Sequence, residues 1–320
     1  KRPEMPSNKK SFQNSTPGIA PILLLVFVFL SGCGLRQSDE TKPSAKALAD
    51  TAVYRDGIGR EVELPKRPLR IVSLAPSVTE TIYLLGAQDR LIGNTTLCTW
   101  PEAAKQVPKM GTLLSPNYEI ILAAQPDLVI ASTAGNDENS VRGLAELGVP
   151  VYVVAPRNVQ SIFQTVENIG RITDCSEEGV RLLAEMKERL DRIKARLEGL
   201  PPVRAFFITW FDPLLTPGKI TFENDVLSYA NVQSITADVP QFYPRYSLEQ
   251  VLIKDPDVIL TIEHKGDPLP PFKRTAGWKD LRAVKTDKVF FLSEYLQHPS
   301  PLFVDGVEDL ARKLYPERFK

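Results

Sequence analysis

One arrangement of residues occurs twice in this chain of 320 residues, at a constant separation of 130 positions. The stretches "SPNYEIILAAQPDLVIAS" (115–132) and "YSLEQVLIKDPDVILTI" (246–262) each contain a glutamate, six further residues, a Pro-Asp pair and a short apolar run. Such a repeat at one wide spacing predicts two lobes built on the same plan, with one copy at the equivalent place in each. The chain is long enough to give each lobe a core of its own.

Short apolar runs alternate with amphipathic segments through the first half of the chain. "RIVSL" (70–74) predicts a strand, and "PSVTETIYLLG" (76–86) predicts a helix. In the repeated stretch, Ser115 is predicted to cap a helix that has Pro116 at its first position and ends near Gln125. Helices that alternate with short apolar strands predict a mostly parallel sheet covered on both faces.

The segment 176–199 predicts one long helix. Ser176 stands before acidic residues of the first turn, and Gly199 followed by "LPP" ends the pattern. Apolar residues recur at steps of three and four: Val180, Leu183, Met186, Leu190, Ile193 and Leu197. At 1.5 Å per residue this helix is about 33 Å long, more than a crossover connection needs. We therefore interpret it as a strut between two lobes.

The strand–helix pattern restarts after the strut. "RAFFITW" (204–210) corresponds to "RIVSL", "ENDVLSYA" (223–230) to the first helix, and "KVFFLS" (288–293) to "VPVYVV" (149–154). The predicted fold class is α/β, with two similar lobes of mostly parallel sheets joined by one long rigid helix. The N-terminal lobe is predicted over 54–175, and the C-terminal lobe over 200–320.

The N-terminal region is predicted to be a leader rather than part of the fold. The apolar run "ILLLVFVFL" (22–30) follows a basic segment and spans about 14 Å as a helix, too short for a bilayer core of roughly 30 Å. A buried strand or helix is the alternative, but residues 34–50 offer nothing apolar enough to cover it. The run ends in "LSGC", which resembles the bacterial lipobox, so 1–32 is predicted to be a lipoprotein signal peptide with Cys33 acylated.

Export sets the context for the remaining segments. The polar residues 33–53 are predicted to form a lipid-anchored tether on the extracytoplasmic (periplasmic) side of the membrane in a bacterial cell envelope. Cys98 and Cys175 then form an even pair in a disulfide-permissive compartment. They either form one bridge or remain two buried free thiols.

Composition excludes several classes of function. Lys+Arg and Asp+Glu each number 39, so the chain carries no positive excess for binding nucleic acid. Only two histidines are present, His264 and His298, and a three-histidine zinc site cannot be built from them. The sequence has no phosphate-binding glycine loop, no G-x-S-x-G and no H-E-x-x-H. We therefore predict a binding protein without catalytic residues, resident metal or cofactor; an exported enzyme is a remote alternative.

Several motifs together support a family resemblance: "RIVSLAPSVTETIYLLG", "KMG" (109–111), "PNYEIILAAQPDLVIAS", "LAELGVPVYVV" and the long helix. In this combination, over residues 54 to 316, the chain resembles the helical-backbone substrate-binding proteins of ABC importers. This class III group carries vitamin B12, iron–siderophore complexes and haem. The resemblance implies a monomer that holds a small-molecule metal chelate between two lobes, with little hinge closure, and delivers it to a permease dimer with its ATPase.

The same resemblance implies a set of ligand-contacting residues. They are Leu97, Trp100, Leu113 and Ser132 from the first lobe, and Trp210, Phe242, Tyr243, Glu294, Tyr295 and His298 from the second. The segment around Trp100-Pro101 looks most like B12-binding members, which makes a corrinoid the first choice. Leu97, Leu113 and Ser132 stand where the best-known B12 binder has aromatic residues, and Glu294 and His298 stand where it has Asp and Arg. A ferric siderophore or haem therefore remains the alternative.

Each of these residues also has a purely structural interpretation. Trp210 ends an apolar strand and would equally suit core packing, while His298 before "PSP" would suit the start of the terminal helix. Glu119 and Glu249 lie in the first turns of the two repeated helices, where the helix dipole alone favours a carboxylate. The resemblance gives the two glutamates a further role, because in this family one glutamate per lobe meets arginines of the permease.

Overall fold

The computed structural model describes residues 50–262 and 271–320. After an antiparallel hairpin, the N-terminal lobe contains a four-stranded parallel sheet in the order β4-β3-β5-β6. Its elements are β1 (Thr51–Arg55), β2 (Glu61–Pro65), β3 (Ile71–Ser73), α1 (Pro76–Leu84), β4 (Leu91–Gly93), α2 (Tyr118–Ala123), β5 (Leu128–Ser132), α3 (Glu138–Glu146), β6 (Val151–Val154) and α4 (Val159–Ile172).

The C-terminal lobe contains a second four-stranded parallel sheet, in the order β10-β9-β7-β8. Its elements follow the long helix α5 (Ser176–Leu197) and are β7 (Val203–Ile208), α6 (Phe222–Tyr229), β8 (Val232–Ser234), α7 (Leu248–Lys254), β9 (Val258–Thr261), α8 (Arg282–Lys285), β10 (Val289–Phe291) and α9 (Phe303–Leu314). In both lobes the first strand lies between the second and the third, with the fourth beyond the third. The two lobes therefore share one strand topology.

The repeated Pro-Asp pair has the same structural task in both lobes. The Asp127 carboxylate accepts hydrogen bonds from the backbone N–H groups of Leu69 and Arg70, at 2.8 and 2.9 Å, just before β3. Asp257 accepts the N–H of Arg204 at 2.9 Å, at the equivalent place in β7. The guanidinium groups of Arg70 and Arg204 also donate hydrogen bonds to backbone carbonyl groups at the end of the repeated helix in their own lobe. The aspartate and arginine thus lock this helix to the first strand, which explains why the corner recurs.

Helix α5 packs on α4, α6 and α9, and connects the two sheets along the chain. Its buried residues include Met186, Leu190, Ile193 and Leu197, while Val180, predicted on the apolar face, is 67% exposed. One hydrophobic cluster contains residues of both lobes together with this helix. Rotating one lobe against the other would expose part of that apolar surface to water, at a cost of about 25 cal/mol per Å².

One local prediction is wrong. Helix α2 begins at Tyr118 with Asn117 as its N-cap, because the Asn117 side chain accepts the Ile120 N–H; Ser115 instead forms a turn with Thr112. Of the two alternatives left open for Cys98 and Cys175, the structure has the second, because both are buried free thiols.

The two thiols lie in separate polar surroundings. Cys98 accepts a hydrogen bond from Thr79 and also contacts Thr95, whereas Cys175, just before α5, accepts one from Arg90. Each sulfur is thus occupied by partners of its own.

The leader, the lipobox with Cys33 and most of the tether lie outside the described residues, as does His264. Among the residues that are described, no helix combines the length and apolar character needed to cross a bilayer.

Candidate ligand-binding cleft

Two adjoining cavities lie at the carboxyl ends of the strands of both lobes. The larger, which we call the Trp100 cavity, has a volume of about 780 Å³ and is walled by loops that follow β3, β4, β5, β9 and β10. The smaller, the Tyr243 cavity, has a volume of about 650 Å³ and is walled by loops that follow β5, β6, β7, β8 and β10. Both include Ala134, Gln297 and Pro299, so they form one cleft between the lobes. This is the edge of an open α/β sheet at which ligands bind.

Most of the predicted contact residues lie in the walls of this cleft. The Trp100 cavity includes Leu97, Trp100, Leu113, Glu294 and His298, and the Tyr243 cavity includes Phe242 and Tyr243. Leu97 and Phe242 are 55% and 59% exposed, so both lobes present large apolar side chains to the open space. Whether a ligand contacts these residues stays a prediction.

Ser132 does not lie in the wall of either cavity. It is the last residue of β5 and is only 1% exposed. Its Oγ accepts the N–H of Ala134, and its own N–H donates to the Asn136 side chain. Ser132 therefore shapes the loop that carries Ala134 into the cleft.

Trp210 and Tyr295 are also outside both walls. Trp210 is 39% exposed, and its indole N–H donates to the carbonyl of Asp212 at 2.9 Å. Tyr295 packs edge-on against His298, with ring centroids 6.4 Å apart. It thus contacts a residue of the Trp100 cavity without lining either cavity itself.

His298 is held by a carboxylate of the other lobe. Its Nδ1 lies 3.1 Å from Oε1 of Glu80 in α1, which is 2% exposed. Burial opposes protonation of the ring, but the hydrogen bond and charge of Glu80, with the charge of Glu294, raise the pKa of His298 above its ordinary value. Since Nδ1 is engaged by Glu80, Nε2 is the ring nitrogen that remains for another partner.

Tyr243 is held in the same way within its own lobe. Its hydroxyl donates to Oε1 of Glu223 in α6 at 2.7 Å, and Glu223 is 4% exposed. Burial raises the pKa of Glu223 to about 6, although the hydrogen bond from Tyr243 works in the opposite direction. Burial and then the charge of Glu223 raise the pKa of Tyr243 far above its ordinary value, so the ring is neutral at physiological pH.

Sequence reasoning missed several residues of the cleft: Glu80 beneath the Trp100 cavity, Lys105 and Gln297 in its wall, and Arg157 and Glu223 in the wall of the Tyr243 cavity. Glu80 carried a usable signal, because it is a single acid among the apolar residues of "SVTETIYLLG". A charge in such a helix is either exposed or buried against a partner. The partner itself is 218 residues away and gave no local signal.

Within residues 50–262 and 271–320, no group of three or more His, Cys, Asp or Glu side chains is placed to hold a metal ion. The walls combine apolar side chains with single charges such as Lys105 and Glu294.

The repeated glutamates occupy equivalent exposed positions away from the cleft walls. Glu119 is the second residue of α2, behind the Asn117 cap, and Glu249 is the second residue of α7, behind the Ser247 cap. Both side chains are exposed and neither lines a cavity of the cleft. They are available to a partner.

The sequence profile of the periplasmic binding protein family matches residues 71–296, which is most of the chain. The chain belongs to the periplasmic binding protein family. It is 30% identical, over 313 residues, to the uncharacterized ABC transporter substrate-binding lipoprotein YvrC of Bacillus subtilis strain 168; the match covers 95% of this chain and 98% of that protein. The predicted relation to the substrate-binding proteins of ABC importers is thereby confirmed.

Solved structures show the same architecture. The vitamin B12-binding protein BtuF of Vibrio cholerae is 29% identical with a TM-score of 0.70, and the match covers 79% of this chain and 99% of that one. A haem-binding protein of Pseudomonas aeruginosa is 22% identical with a TM-score of 0.69, covering 78% and 93% of the two chains, and shows likeness of fold alone. The predicted class III fold is confirmed.

Proposed function

We propose that this protein captures a metal chelate, with a corrinoid such as cobalamin as the first choice, in the cleft between its lobes and delivers it to an ABC importer. The observation that carries the proposal is the continuous cleft at the carboxyl ends of both sheets, lined by Leu97, Trp100, Phe242 and Tyr243. Aromatic side chains bury a large area at low cost in conformational entropy, which suits a flat macrocycle. The B12-binding function of the Vibrio cholerae relative supports the corrinoid over other chelates.

Haem or a ferric siderophore is the second candidate, and one observation favours haem. His298 faces Glu80 through Nδ1, an arrangement in which a carboxylate orients the ring and the other nitrogen binds a metal. The binding of any of these chelates is expected to be reversible and without chemical turnover.

The partner is proposed to be a permease dimer with its ATPase, approached through Glu119 and Glu249. The two exposed carboxylates occupy equivalent places in two lobes of the same topology, as a pseudo-symmetric partner requires. Charges at the rim of such an interface steer and orient docking more than they add affinity.

Acylation of Cys33 is proposed to anchor the protein on the extracytoplasmic side of the membrane. The motive is the lipobox directly after the apolar run, and the Bacillus relative is described as a lipoprotein. Mass spectrometry of the N-terminal peptide from membranes of the native host should find a lipid on Cys33. Cys33→Ala should release the protein from membranes, and an unmodified Cys33 would contradict the anchor.

The ligand is tested by mixing the protein separately with cyanocobalamin, a ferric siderophore and haem, followed by desalting and absorbance spectroscopy. We expect cyanocobalamin to be retained with the protein in a 1:1 ratio. Retention of haem or the siderophore alone would move the assignment to the second candidate. Retention of none of the three, with binding of a sugar or amino acid instead, would refute the ligand class.

A further inference from the structure

Two nearly inaccessible glutamates each hold one ring of the cleft wall. Glu80 belongs to α1 and Glu223 to α6, and each of these is the first helix after the first strand of its lobe's sheet. Glu80 bonds His298 at 3.1 Å, and Glu223 bonds Tyr243 at 2.7 Å. The repetition of this device in both lobes indicates that it serves the cleft the lobes share.

Each glutamate depends on its ring for a partner. In both side chains Oε1 makes the bond, while Oε2 is buried without a hydrogen-bond partner among the residues that the structure describes. A buried carboxylate that loses its partner pays the desolvation of an unpaired charge. Rotating the Tyr243 ring away from Glu223 would incur that cost, so the hydrogen bond holds the ring in place.

The bond also decides which part of Tyr243 remains for a ligand. The hydroxyl proton is donated to Glu223, and a phenolate at this position would set two negative charges 2.7 Å apart. Yet Tyr243 is 44% exposed and forms part of the wall of the Tyr243 cavity. The ring can therefore meet a ligand while its oxygen is engaged by Glu223.

We propose that Glu223 is a positioning residue of the cleft, which keeps Tyr243 as a neutral, fixed ring whose face, and not its oxygen, meets the ligand. The inference rests on the proposed function and narrows it. The ligand is expected to place a flat or apolar surface against Tyr243, and its metal is not coordinated by the Tyr243 oxygen.

The first test compares dissociation constants for cyanocobalamin and haem. Tyr243→Phe and Glu223→Ala should weaken binding by the same three- to fivefold, because each releases the ring. The double variant should be no weaker than either single one. Glu223→Gln should stay within about twofold of wild type, since its amide oxygen still accepts the hydroxyl, and Tyr243→Ala should lose at least tenfold. A Tyr243→Phe loss well beyond that of Glu223→Ala would overturn the proposal, because it would mean that the hydroxyl contacts the ligand.

Haem spectra give a readout that a purely structural role would not move. The absorption spectrum of bound haem should be the same in wild type and Tyr243→Phe. Loss of an iron–phenolate charge-transfer band in the variant would show that the Tyr243 oxygen coordinates iron, and the proposal would be wrong.

Thermal unfolding without ligand tests this inference independently of the proposed function. If no chelate binds the wild type, the proposed ligand class fails, but thermal unfolding still tests the positioning bond. Glu223→Ala should raise the melting temperature in the Tyr243→Phe background, where the buried carboxylate has lost its partner, and should not raise it in wild type. Glu80→Ala is the matched control and should show no such coupling to Tyr243→Phe. If the changes in melting temperature caused by Glu223→Ala and Tyr243→Phe simply add in the double variant, the hydrogen bond does not position Tyr243.

Discussion

At the scale of single residues, Glu223 and His298 give the cleft its dependence on pH. Both have a pKa above the ordinary value, Glu223 because of burial and His298 because its bond to Glu80 outweighs burial. For any group whose pKa is higher in the folded state, the associated stability is complete below the unfolded-state pKa and is lost as the pH rises through the folded-state pKa. The stability associated with Glu223 is therefore lost between pH 4.5 and about 6, and that associated with His298 is lost above pH 6.5.

Glu223→Gln should become more stable relative to wild type as the pH rises. The pKa of Glu223 is about 6 in the folded protein against an ordinary 4.5, so wild type loses stability between these values while glutamine does not titrate. A shift of this size corresponds to about 2 kcal/mol. Urea unfolding at pH 4 and pH 7.5 measures the change in the difference between the two proteins. Glu177→Gln, at an exposed position in the first turn of α5, is the control, and its difference in stability from wild type should be the same at both pH values. If the difference for Glu223→Gln is also the same at both pH values, the prediction is contradicted.

His298→Gln should show its largest stability loss in mildly acidic solution. The contribution of the protonated ring is complete below the ordinary pKa of 6.5 and declines as the pH rises through the elevated pKa. Melting temperatures of wild type and variant should therefore differ most near pH 5.5 and converge towards pH 9. When Glu80→Gln is present in both proteins, this difference in melting temperature should depend less on pH. A difference between wild type and His298→Gln that grows as the pH rises would contradict the stabilising role of the protonated ring.

Residues exposed in loops were easier to predict than those that act through distant partners. The family resemblance named Trp100, Tyr243 and His298 as ligand contacts; the structure has them in the cleft walls, and their contact with a ligand stays a prediction. Ser132, which it also named, is buried at the end of β5, and its contact with a ligand also stays a prediction. The bonds of Glu80 and Glu223 were not predictable, since they depend on tertiary packing that no local pattern encodes.

At the scale of elements, the repeated corner was predicted in type but not in its boundaries. Helix α2 starts two residues after the predicted Pro116 because the Asn117 side chain provides the cap. The parallel sheets and the long helix followed from periodicity, since apolar runs and a 22-residue amphipathic segment are strong signals. The role of Asp127 and Asp257 in fixing the first strands became evident only from their hydrogen bonds.

The two corner helices carry the prediction about transport. Glu119→Arg and Glu249→Arg should each leave the melting temperature within about 2 °C of wild type and chelate affinity unchanged, because both side chains are exposed outside the cleft walls. Uptake through the reconstituted permease should fall at least tenfold for each. Glu177→Arg, an exposed glutamate of the first turn of α5, is the matched control and should support normal uptake. Normal uptake by Glu119→Arg and Glu249→Arg would mean that the two glutamates only stabilise the first turns of their helices.

At the scale of the whole molecule, the duplication creates the site. Two sheets of the same topology direct their carboxyl ends to one cleft. A hydrophobic cluster that contains residues of α5 and of both lobes holds the two lobes together. A cleft built in this way is largely formed before the ligand arrives, and binding then requires little reorganisation. The proposed function therefore depends on whether this cleft takes up a metal chelate.

The most direct measurement is a titration of the purified protein with cyanocobalamin, followed by tryptophan fluorescence. The account predicts saturable quenching at a 1:1 ratio with a dissociation constant below about 10 μM, or about −7 kcal/mol. Trp100→Ala and Tyr243→Ala should each weaken binding at least tenfold, because both rings lie in the cleft walls, whereas Glu119→Arg should not change it. Binding that is equally strong in both cleft variants, or absent for cyanocobalamin, haem and ferric siderophores alike, would contradict the account.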